Sequence, residues 1–123
     1  MKLNAAVRLI LLVIGLFLLH AVAWIGIEGG IIQFHHARSL GEKTQTALQF
    51  AYGMFAILAV VTTFWRREWN RTLLGYWAVS MTLAGGLAAV VYGGTSIAIG
   101  VLSGTAVLLV ALAIIWLLRI GAR

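Results

Sequence analysis

The sequence predicts an all-α integral membrane protein, folded as a four-helix antiparallel transmembrane bundle. Three observations carry that prediction. The twelve charged side chains, nine Lys or Arg and three Asp or Glu, leave Leu9–Ile27, Thr44–Trp65 and Thr72–Leu118 without any. Those runs hold 19, 22 and 47 residues, and a helix crosses hydrocarbon with about 20 apolar residues. Charged residues are only 10% of the chain and hydrophobic ones 63%, whereas about a quarter of a soluble domain is charged. The runs are also apolar on every side, where a soluble bundle needs a polar face on each helix. Residues 1–123 therefore read as a single membrane domain.

The first span is expected over 6–27, ending at Gly29-Gly30. Lys2 and Arg8, then Leu9–Leu19, then Ala21-Val22-Ala23 also match the three parts of a secretory signal peptide. Against removal of residues 1–23, the apolar run continues through Trp24-Ile25-Gly26-Ile27 and is long enough to span. Ile31–Leu40 alternates apolar residues with Gln33, His35, His36 and Arg38, which suits an amphipathic segment lying in the interface. Gly41 is expected to break it, and Glu42 to open the second span with an acid in its first turn. That span covers 46–65. The last run would be about 70 Å long as one helix, more than twice the hydrocarbon thickness. It must fold back, and Gly93-Gly94-Thr95-Ser96 supplies a glycine stop followed by a hydroxyl cap. Spans three and four then cover 72–92 and 96–118.

Orientation follows from the Lys and Arg count in short loops. Seven (Lys2, Arg8, Arg66, Arg67, Arg71, Arg119, Arg123) lie on one side and two (Arg38, Lys43) on the other. Both termini are expected in the cytoplasm of a bacterial inner membrane. Trp65, Trp69, Tyr76, Trp77 and Trp116 read as an aromatic belt on the cytoplasmic side, and Trp24 with Tyr92 as the outer one. Arg66, Arg67 and Arg71 read as an anchor for anionic lipid headgroups. The net charge of +6 is accounted for by this placement, so nucleic acid is not an expected partner.

Spans in lipid associate by close packing, for which small residues are suited. Ser96, Gly100 and Gly104 recur every four residues, as do Ser80, Ala84 and Ala88. Folding about Gly94 sets Ala88 level with Gly100 and Ala84 level with Gly104, so a tight hairpin is expected there; a homodimer seam on Gly100 and Gly104 is the alternative.

Chemistry-bearing residues are few. His20 is the one imidazole within a span; with Gln49, Tyr52 and Glu28 it defines a candidate outward-facing polar pocket. One use of that pocket is proton relay or quinone contact, and the plainer one is a hydrogen bond between helices. Haem would need a second axial ligand at suitable height, and His35 and His36 lie beyond the glycine pair. Adjacent histidines on a helix diverge by about 100°, so His35-His36 with Glu42 is expected to be a solvated loop rather than a metal site. Without Cys there is no thiolate or disulfide chemistry, and no catalytic motif is present. The expectation is a non-enzymatic accessory or scaffold subunit with no cofactor, partnered by the bilayer and by a second copy or larger membrane complex. The alternatives are a small oligomeric transporter or channel built around His20, and a quinone- or haem-associated redox subunit.

Overall fold

Asn4 caps helix α1, Ala5–His36, its Oδ1 accepting the Val7 amide at 2.8 Å. In this computed structural model, residues 4–94 and 96–121 are described; Lys2, Thr95 and Arg123 fall outside them. Helices α2 (Leu40–Phe64), α3 (Arg67–Val91) and α4 (Ile97–Gly121) follow, each long and apolar enough to cross a membrane, as α1 is. The protein is a multi-pass membrane protein. Short connections make successive helices antiparallel. Each packs on its neighbour in sequence and α1 closes the ring on α4, while the backbones of the diagonal pairs stay more than 8 Å apart, Cα to Cα, among the described residues.

The first correction concerns α1. The helix does not stop at Gly29-Gly30 but runs unbroken to His36, so Ile31–His36 extends the span instead of lying flat. These glycines are contact points. A Cβ built on Gly30 would lie 2.9 Å from the Phe50 amide nitrogen, and one on Gly29 would lie 2.5 Å from Gln49 Nε2. A glycine inside a helix costs only about 1 kcal/mol relative to Ala, and helix α2 comes close in return. Gly41 likewise sits within α2 instead of breaking the chain. Ser39 is the N-cap: its Oγ accepts the Glu42 amide at 3.1 Å, and Glu42 Oε2 accepts the Ser39 amide at 3.1 Å and the Arg38 amide at 2.7 Å. This reciprocal capping box starts α2 six residues before the expected span, with the acid in the first turn.

The turn between α3 and α4 falls at the glycine pair, with Gly94 at φ +59°. Ser96 follows as a cap, its Oγ accepting the Ile99 amide at 3.4 Å. It is exposed and forms no part of the packing row. The hairpin closes on a different face of α3 from the one expected. A Cβ on Gly100 would meet Val90 Cγ2 at 2.6 Å and the Gly86 carbonyl at 3.3 Å; one on Gly104 would meet the Thr82 carbonyl at 3.4 Å and Gly86 Cα at 3.6 Å. The α3 row against the α4 glycines is therefore Thr82, Gly86 and Val90, not Ser80, Ala84 and Ala88. Gly86 has no side chain at all, so it admits a closer backbone approach than alanine. Ser80 and Ala84 are buried toward the bundle interior, where the Ala84 carbonyl accepts Gln45 Nε2 of α2 at 3.5 Å.

The core lies toward the basic end, the end that carries Arg66–Arg71. It joins Leu19 and Ala23 of α1, Ala56 and Ala59 of α2, Leu74, Trp77 and Ala78 of α3, and Ala111, Ile114 and Leu118 of α4. Trp77, expected in the aromatic belt, is 0% exposed and belongs to this cluster. Trp65, Trp69 and Trp116 are exposed, as a belt requires.

Candidate functional site

The four polar residues expected to share one pocket divide into two pairs. The buried row of α1 is Gly15, Leu19, Ala23, Gly26 and Gly30. His20, Trp24 and Glu28 lie roughly 100–180° round the helix from that row, and all three are exposed. Trp24 Nε1 donates to His20 Nε2 at 2.9 Å, with the rings edge to face at 6.0 Å. Neither His20 nor Glu28 faces Gln49 or Tyr52.

Their height is the more informative finding. Gly26 packs on Gly53, one residue past the middle of α2. Leu118, which packs on Gly15, lies nine residues from Leu109, the middle of α4; nine residues along antiparallel α1 from Gly15 is Trp24. The middle of the bundle thus crosses α1 near Trp24–Gly26. Glu28 lies about 3–6 Å from that level and His20 about 6–9 Å, at 1.5 Å per residue. Trp24 is consequently mid-height rather than at the outer boundary. Glu28 is not at a pocket mouth; it is a carboxyl group on the outer surface of the bundle, close to its mid-height.

Gln49 and Tyr52 do come together, in a cavity of about 250 Å³ between α2, α3 and α4. Gln45 and Gln49 line its α2 side above Tyr52, while Met81, Ala84 and Ala88 line its α3 side. Gln49 Nε2 donates to the Ile25 carbonyl at 3.3 Å, tying α2 to α1. Gln45 was missed as a site residue. Its spacing of four from Gln49 was the available signal, since i and i+4 share a helix face.

A second missed residue is Asn70, in the first turn of α3. Its Nδ2 donates to the Ala59 carbonyl at 2.8 Å, Thr63 Oγ1 at 3.1 Å and Thr62 Oγ1 at 3.2 Å. This clamp holds the sharp α2–α3 connection, where Arg66 adopts the left-handed conformation at φ 57°. Arg66 also lies over the Trp65 ring at 5.4 Å and 4.0 Å from Glu68. Arg66, Arg67 and Arg71 are all exposed. Among the described residues no three His, Asp or Glu side chains gather as a metal-ligand set. Comparison with protein-family models, characterised proteins and solved structures finds no match, so the functional reading rests on this geometry.

Proposed function

We propose that the protein is a non-enzymatic accessory subunit of a bacterial inner membrane, built to dock another membrane protein or a second copy along α1. The observation that carries this reading is Glu28, exposed at mid-height on the outward side of the bundle. A charged side chain at the middle of a span costs roughly 2.5–3.5 kcal/mol even on the mildest scales, so such groups face protein or water. The row His20, Trp24 and Glu28 offers the remaining ring N–H of His20 as a donor, an aromatic surface and an acid at successive turns, which is the composition of a contact surface rather than a lipid-facing one. The inward polar side chains among the described residues, Gln45, Thr46, Gln49, Thr62 and Ser80, are uncharged, which sets the outward Glu28 apart from them.

Solubilised in mild detergent, the wild-type protein should run as a stoichiometric complex. Glu28→Leu should release the partner while leaving the thermal stability of the isolated subunit unchanged or higher. A monodisperse monomer from native membranes, unaltered by that substitution, would sink the reading.

The proposed orientation places both termini in the cytoplasm, supported by the seven-to-two distribution of Lys and Arg. Alkaline phosphatase fused after Arg123 should then be inactive, and the same enzyme inserted after Arg38 should be active. The reverse pattern would invert the topology.

A further inference from the structure

We infer that the cavity between α2, α3 and α4 is a binding site for the head of a neutral, phenol-type amphiphile, with Gln45 as its hydrogen-bond acceptor. Gln45 is 5% exposed and its Oε1 is buried without a hydrogen-bond partner. The orientation of its amide is fixed by its neighbour: Nε2 faces the Ala84 carbonyl at 3.5 Å. A flipped amide would set two oxygens against each other. The unpaired atom is therefore an acceptor, and it belongs to a residue lining about 250 Å³ of space. A buried polar atom without a partner is unfavourable, and an entering donor relieves it.

The remaining walls narrow the ligand class. No charged side chain lines the cavity, so an ion entering it would lose its hydration without compensation. The ligand is neutral. The volume lies below the range of about 300–1,000 Å³ typical for whole ligands, so it takes a headgroup and not a complete lipid. Met81 and the Tyr52 ring face the same space, and a thioether and an aromatic edge both favour an aromatic guest. The head is then a ring bearing one hydroxyl, and an apolar tail supplied from the bilayer suits the surrounding Ala84, Ala88 and Val107.

The test uses the full-length protein in detergent and two probes of nearly equal shape, 4-pentylphenol and 4-pentylanisole. Calorimetric titration is referenced to protein-free micelles, which removes simple partitioning. The phenol should bind saturably at one site per chain and about tenfold or more tighter than its methyl ether, because only the phenol can donate to Gln45. Gln45→Met, which keeps the side-chain length without the amide, should abolish the difference between the probes. Equal affinity of the two probes for the wild-type protein would overturn the assignment, as would the absence of saturable binding. Because the comparison of probes is made on the wild type, the result stands even where the variant folds poorly. The site is independent of the α1 contact surface, so Glu28→Leu should leave phenol binding unchanged.

Discussion

Gly53→Leu is expected to destabilise the protein more than any other single substitution on α2. A Cβ at this position would lie 2.6 Å from the Ile27 amide nitrogen, 2.8 Å from the Ala23 carbonyl and 2.9 Å from the Gly26 carbonyl carbon. All three are backbone atoms of α1, which cannot rotate away as a side chain can. Inserted volume in a packed site costs typically 1–3 kcal/mol, and here a whole isobutyl group must separate two helices. We expect a loss above about 3 kcal/mol, or a fall in melting temperature on the order of 10 °C in detergent. Gly26 is the reciprocal position, with Gly53 Cα at 2.8 Å from its own hypothetical Cβ. The control is Gly75→Leu: nothing lies within 4 Å of a Cβ there, so stability should hold within about 0.5 kcal/mol, as for ordinary surface changes. Equal melting temperatures for Gly53→Leu and Gly75→Leu would show that α1 and α2 do not meet at these glycines.

Trp77→Ala is the second large effect. Trp77 is wholly buried in a cluster drawn from all four helices, with Leu19, Ala56 and Ile114 among its members. Removing it leaves a void that surrounding alanines are too short to fill. Large-to-small changes of this kind cost about 3–5 kcal/mol, and in lipid the loss falls on packing contacts, because transfer to lipid no longer favours burial. Trp77→Phe provides the discriminating comparison. The indole Nε1 is buried without a hydrogen-bond partner among the described residues, so exchange for Phe removes an unpaired donor along with some volume. We expect Trp77→Phe to retain most of the stability that Trp77→Ala loses. Both variants can be followed by thermal denaturation with circular dichroism; similar losses for the two would indicate that the indole nitrogen is in fact paired.

Both substitutions act where helix faces meet, and faces were the part of the architecture least visible in the chain. Span number and length come from one-dimensional accounting: hydrocarbon tolerates no run of charge, and the 47-residue stretch is too long to cross once. Even the turn could be placed, because glycine is the residue that adopts positive φ without strain. What could not be read was rotation about each helix axis. A soluble helix reveals its buried side by an apolar stripe, but these helices are apolar all round, and burial must be assigned from small residues alone. Glycines occur on α3 at 75, 85 and 86, and only contact geometry separates Gly75, facing open space, from Gly86, which meets α4. The same ambiguity misplaced His20 and Glu28. Counting residues from Gly29-Gly30 as a helix end put Glu28 at a membrane surface, whereas the unbroken α1 carries it to mid-height.

The candidate site shows the division most clearly. Gln49 and Tyr52 could be paired from sequence because both lie on α2 at related positions. That Gln45 joins them, and that its oxygen lacks a partner, depends on where α3 sets the Ala84 carbonyl. Composition and charge spacing suffice to read the solvent this protein lives in, the number of its spans and the excess of positive charge at one end, because solvation free energies act residue by residue. Which residues look inward depends on how the helices pack. Between two apolar faces the choice rests on atomic contacts of about 0.1–0.2 kcal/mol each, summed over surfaces that exist only once the helices are side by side.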